Sequence, residues 1–208
     1  MDWWTNLNIQ TQISIIVVLI SVISLIVNTV VNLMMKRKDI RANIVSKARI
    51  TWIENTRLIS TKIITAADRL FSGISDFIRT EELRNEMKDS NVENFNEIHE
   101  EINSFNESNF DIINESNQEL LHQATLLKLY YSENPENNKV INKSEELLLL
   151  SNKAHEKIAQ YGKQKIDLQK YKASSLEIQN QYNIIINEFV EIIRDYNKKE
   201  WNKVKKGK

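Results

Sequence analysis

The chain has no cysteine, one proline and three glycines among its 208 residues. Without cysteine, disulfides, thiolate nucleophiles and cysteine-based zinc sites are excluded, and a reducing compartment fits. With so little proline and glycine, strands joined by tight turns have almost no punctuation to use, so long helices are expected. There is no glycine-rich phosphate loop, and no serine sits in a nucleophile-elbow context. His99, His122 and His155 are scattered, none with a second histidine at ligand spacing, and read as neutral surface residues. The acid pairs Glu81–Glu82, Glu100–Glu101 and Glu145–Glu146 set adjacent carboxylates on diverging helix faces, poor geometry for paired acid–base work. No catalytic residue, cofactor or metal site is expected, and the chain does not read as an enzyme.

What the chain does have is Ile13–Met35, an apolar stretch without a single charge. As a helix it would be about 34 Å long, enough to cross the ~30 Å hydrocarbon core of a bilayer. Trp3 and Trp4 stand just before it, and Lys36, Arg37 and Lys38 follow at once. Aromatic residues favour the interface, and clustered cations mark the cytoplasmic side. A secretory signal peptide would need a positive n-region, a shorter apolar stretch and a small-residue cleavage site. Here the n-region carries Asp2 and no Lys or Arg, and no such site follows. A buried helix of a soluble protein seldom runs this far without a charge. The expected organisation is an extracytoplasmic segment over 1–12, a transmembrane helix over 13–35 and a cytoplasmic helical domain over 36–208. That makes a single-pass protein of the inner membrane with its N-terminus outside.

The span has a polar side. At about 100° per residue, Gln10, Ser14, Ser21, Ser24, Asn28 and Asn32 fall within an arc of roughly 80°. Small and amide side chains in hydrocarbon favour a partner helix, at about 0.6–2 kcal/mol per hydrogen bond. Serines can instead bond back to their own helix carbonyls. Because the stripe includes two asparagines one turn apart, a homo-oligomeric contact is expected, with a polar pore lining as one form of it.

Net charge is zero, but its distribution is uneven. Residues 36–79 carry ten basic and four acidic side chains, 80–136 three and fourteen, and 150–208 thirteen and seven. Either oppositely charged helices lie side by side, or a basic surface is kept for phosphate-rich partners.

From Lys36 to Arg79 the pattern reads as one helix, with Ile59, Ile63, Ala66, Leu70, Ile74 and Phe77 at three- and four-residue steps. Within it Arg49, Trp52, Ile53 and Thr56 occupy consecutive turns of one face, with Arg57 alongside. Trp52 is read either as core or as part of a ligand or assembly surface to which Arg49 and Arg57 lend charge. A span followed at once by basic residues and the Arg49–Trp52–Ile53–Arg57 pattern resembles a broad group of small bacterial membrane-anchored helical proteins. Some of these resemble membrane effectors of anti-phage defence systems, which sense a nucleotide or nucleic-acid signal and depolarise or permeabilise the membrane. The resemblance covers about residues 10–80, and it implies no role for any single residue.

Thr80 is expected to open a new segment, with Ser90 and Glu93 as a capping box. Phe95, Ile98, Ile102, Phe105, Asn109, Ile112 and Ser116 then follow the seam spacing of a coiled coil, prolonged by Leu120, Ala124, Leu127 and Tyr131. The run 132–138, with Pro135, reads as the turn of an antiparallel hairpin. A third helix carries Leu147, Leu150, Ala154, Ile158 and Tyr161, weakly interrupted at Gly162. A last helix restarts at Ala173–Ser175, with Ser174 and Glu177 as a capping box, and carries Ile178, Tyr182, Ile185, Phe189, Ile192 and Tyr196. The fold class is therefore all-α, one transmembrane helix and a bundle of long antiparallel helices with coiled-coil-like packing.

The tail 198–208 holds six lysines, one acid and Trp201. Lys198, Lys199, Trp201 and Lys203 suit anionic lipid or nucleic-acid phosphates, with a base stacked on the ring. A solvated, frayed end with Trp201 packed back explains the same residues. Two functions are compatible with all this. One is a homo-oligomeric membrane effector that forms a pore or depolarises the membrane, controlled by a nucleotide, nucleic-acid or protein signal and acting in phage defence. The other is a membrane-tethered scaffold that recruits a protein partner and has no pore.

Overall fold

The computed structural model describes residues 8–89, 95–131 and 134–205, and among them every element is a helix. These are α1 (Ile9–Asp89), α2 (Phe95–Tyr130), α3 (Pro135–Gly162) and α4 (Leu168–Lys205). Trp3, Trp4, the Ser90–Glu93 capping box and the last tail lysines lie outside the described residues, as does part of the 132–138 turn. The chain divides into two compact units, one of residues 1–50 with 203–208 and one of Thr51–Asn202.

The first unit holds the apolar part of α1, the one helix among the described residues that is long and apolar enough to cross a membrane. Its mean hydropathy is 2.7 over the most apolar window, and none of that window is buried. In water each exposed Ile, Val or Leu would forfeit about 1.5–3 kcal/mol of burial. A hydrocarbon surround removes that cost, and the helix satisfies its own backbone there.

In the second unit, buried side chains from all four helices form one apolar cluster, with Ile63 and Leu70 (α1), Ile113 (α2), Leu147 (α3) and Phe189 (α4) fully enclosed. Cross-helix pairs give the directions. As the α3 partner moves up the chain from Glu136 to Lys143 to Lys153, its α4 partner moves down from Lys199 to Glu188 to Glu177. Between α1 and α2, Thr80 donates to Asn106 while Trp52 reaches Tyr130. Asp68 accepts from Tyr182 and Glu82 pairs with Lys172 across α1 and α4. Lys128 pairs with Glu145 and Ser151 donates to Asn117 across α2 and α3. In each pair the helices run antiparallel. Helices α1 and α2 approach closely at Gly73, where a Cβ would lie 2.9 Å from Ile113 Cγ1.

Three expectations need correction. Thr80 does not open a segment, because α1 continues to Asp89. On α2 the buried stripe is Ile102, Asn106, Asn109, Ile113, Ser116 and Leu120, whereas Phe105 and Ile112 are exposed. Asn106 can replace an apolar residue there because its amide is engaged by α1 at both its oxygen and its nitrogen. Finally, α4 starts at Leu168, with Asp167 Oδ1 accepting from the Lys170 amide at 2.8 Å, so neither Ala173–Ser175 nor the Ser174 box begins it.

The end of α3 is also sharper than a glycine interruption. The amide of Lys165 bonds Gln160 O at 2.9 Å and that of Gln164 bonds Tyr161 O at 2.8 Å, the paired bonds of a Schellman motif. The left-handed position is held by Gln164 at φ 54°, two residues past Gly162. A non-glycine residue there costs about 1 kcal/mol. Gln164→Gly should therefore raise the melting temperature by about 2–4 °C in a circular-dichroism melt.

Candidate functional site

On the span, the expected polar face resolves into two kinds of side chain. On that face Ser14 Oγ donates to Gln10 O at 2.9 Å and Ser21 Oγ to Val17 O at 2.8 Å, and off it Thr29 Oγ1 donates to Leu25 O at 2.8 Å. Those hydroxyls are satisfied within their own helix. The amides of Asn28 and Asn32 and the Ser24 hydroxyl have no hydrogen-bond partner among the described residues, and all three side chains are exposed. An amide cannot return both its donors and its acceptor to one helix backbone, so in hydrocarbon it is these amides, not the hydroxyls of Ser14 and Ser21, that would lack partners.

In the Thr51–Asn202 unit, Trp52 is half-buried, and Ile53 and Thr56 beside it are buried. The Trp52 ring stands edge-on to Tyr131 at 5.3 Å and tilted to Tyr196 at 5.5 Å, and its indole N–H donates to Tyr130 O at 3.1 Å. Trp52 thus joins α1, α2 and α4. Arg57, one turn on, is exposed and makes no ion pair among the described residues. Of the tail residues, Lys199 is tied to Glu136 of α3, while Lys198 and Trp201 are exposed. In the other unit, Arg49 and Lys203 are half-buried.

A second polar centre is one the sequence pattern did not single out. Glu81 is only 4 % exposed although its side chain is a carboxylate. Its Oε1 accepts from Asn106 Nδ2 at 2.6 Å and pairs with Arg84 Nη1 at 2.7 Å, and its Oε2 accepts from Tyr161 at 2.7 Å. Arg84 Nη2 goes on to Asn103 Oδ1 at 2.7 Å. Burial, then the hydrogen bond to Glu81, pushes the Tyr161 hydroxyl well above its ordinary pKa, so it remains a donor. This cluster forms one wall of a cleft of about 770 Å³, which also takes in Gly162, Lys165 and Lys170 from the end of α3 and the start of α4. Only the spacing was present in the pattern, not the partners. Glu81 continues the stripe of Leu70, Ile74 and Phe77 by one further turn, and Asn106 lies four residues from both Ile102 and Phe110.

No cluster of histidine and acidic side chains able to hold a metal occurs among the described residues. Comparison with protein-family models, curated proteins and solved structures finds no match to this chain.

Proposed function

We propose that this chain is a homo-oligomeric membrane effector. Ile13–Met35 crosses the inner membrane once with the N-terminus outside, and the cytoplasmic residues form an antiparallel bundle with coiled-coil-like packing. The spans meet along Ser24, Asn28 and Asn32, and the assembly depolarises the membrane under control of a signal at the cytoplasmic domain, in a phage-defence setting. The observation that carries this is the pair of unpartnered amides on an otherwise apolar, uncovered helix. Facing lipid, each would cost roughly 2–7 kcal/mol, a cost that amide-to-amide pairing between spans offsets. An anionic nucleotide or nucleic acid would find exposed Arg57, Lys198 and Trp201, with binding that weakens steeply with salt.

The alternative is a membrane-tethered scaffold for a partner protein. It is favoured by the self-satisfied hydroxyls of Ser14 and Ser21, which leave little polar seam to line a pore. Full-length protein expressed in cells carrying a membrane-potential dye separates the two. The effector reading expects depolarisation by the wild type, lost in Asn28→Leu with Asn32→Leu. Membrane-inserted protein that never depolarises cells, with or without those substitutions, sinks the effector reading and leaves the scaffold.

A further inference from the structure

The outer face of α1 and α2 in the Thr51–Asn202 unit carries a groove that no described residue of the unit fills. Two clefts of about 710 and 410 Å³ lie along it, the first between residues 61–69 of α1 and 112–119 of α2, the second between 76–86 of α1 and Phe105. The second is lined on α1 by Asp76, Arg79, Glu82 and Glu86; in the first, the walls differ in charge. Lys62 and Arg69 stand on the α1 wall, and Glu115 and Glu119 on the α2 wall. Although Arg69 and Glu115 line the same cleft, neither makes an ion pair among the described residues. Apolar side chains are exposed beside them: Ile112 at 42 %, Leu83 at 43 % and Phe105 at 48 %. Ile112 and Phe105 are the same residues that broke the expected seam of α2.

We infer that this groove is the surface on which a second copy of the chain docks, α1 of each copy against α2 of the other. The inference rests on the oligomeric part of the reading above, but on different residues. The antiparallel register makes the face self-complementary. Gly73 beside Ile113 and Thr80 beside Asn106 fix which parts of α1 and α2 stand level with one another. About a two-fold axis parallel to these helices, whatever is level within one copy is level between copies. Arg69 of one copy then meets Glu115 of the other, and Leu83 meets Phe105. The contact pairs opposite charges that have no ion-pair partner among the described residues at one end of the groove, and covers the exposed Leu83 and Phe105 at the other.

The chain has no cysteine, so an introduced one is the only thiol in its molecule. Full-length Ser72→Cys and Ile112→Cys proteins, whose positions stand nearly level in that register, mixed in detergent and oxidised, should cross-link to each other. Arg69→Glu or Glu115→Arg, placed in both copies, should each lower the cross-linked fraction about tenfold, and the two together should restore it. Cross-linking that is absent, or that the charge swap fails to rescue, overturns the inference. Failure here with wild-type protein still oligomeric in detergent leaves the span contact standing. Cross-linking that persists in Asn28→Leu with Asn32→Leu supports the groove and removes the spans as the main contact.

Discussion

Glu81→Ala lowers the unfolding free energy by about 3–5 kcal/mol. The reason is what remains after the carboxylate has gone. Arg84 keeps its charge with its side chain only 22 % exposed, and Asn106 and Tyr161 each lose the acceptor they had at 2.6 and 2.7 Å. A buried cation without its partner and two idle donors cost far more than the pair contributes when intact. The melting temperature should fall on the order of 10 °C, read by circular dichroism in detergent. Glu81→Gln retains one acceptor and should lose clearly less. The informative companion is Glu81→Leu with Arg84→Met and Asn106→Leu, which replaces the buried carboxylate and its charged and amide partners by apolar side chains and leaves only the Tyr161 hydroxyl of the group. Buried ionic groups exchanged in this way often leave stability unchanged or raise it. A triple variant as stable as wild type would show that the network is not there for stability, and that the cleft it lines needs another reason. A triple variant as unstable as Glu81→Ala would instead make it part of the packing.

How much of this was legible in the sequence depends on whether a residue's partner is near it in the chain. The apolar helix from Ile13 is readable because length, absence of charge and flanking cations are local properties. So are the helical class and the stop before Pro135, where Asn134 caps α3 by accepting from the Glu136 and Asn137 amides. The α1 stripe from Ile59 to Phe77 is buried as its spacing predicts. The seam of α2 is a different matter. Phe105 is more apolar than Asn106, and Ile112 is as apolar as Ile113, so composition favours the wrong face. Asn106 is buried because Glu81 and Thr80 engage it from another helix, and no pattern within α2 records that. The start of α4 was misplaced for a similar reason. Asp167 is a good cap, but the chain reaches it through a left-handed Gln164, a position where sequence patterns look for glycine. On the span, Ser14 and Ser21 could be expected to face either a partner or their own backbone, and geometry decided for the backbone.

Trp52→Ala is the second large effect, about 3 kcal/mol, and it decides between the two readings of the Arg49–Arg57 stretch. Truncating a buried tryptophan costs about 3–5 kcal/mol, and half-burial places Trp52 at the low end of that range. Part of the loss comes from the ring contacts to Tyr131 and Tyr196, each worth about 0.5–1.5 kcal/mol beyond area. Trp52→Phe keeps a ring between those tyrosines and gives up only the hydrogen bond to Tyr130 O, so about 1 kcal/mol should go. Arg57→Ala is the counterpart. That side chain is exposed without an ion pair among the described residues, and its removal should change stability by no more than about 0.5 kcal/mol. Stability and any charge-driven binding can therefore be tested separately within one short stretch of helix. If a labelled oligonucleotide binds the full-length protein, Arg57→Ala should weaken it and flatten its salt dependence, while Trp52→Phe should leave it intact. Binding lost in Trp52→Phe at unchanged melting temperature would return the tryptophan to the surface role, and the aromatic contacts with Tyr131 and Tyr196 would then be a resting state that the ligand displaces.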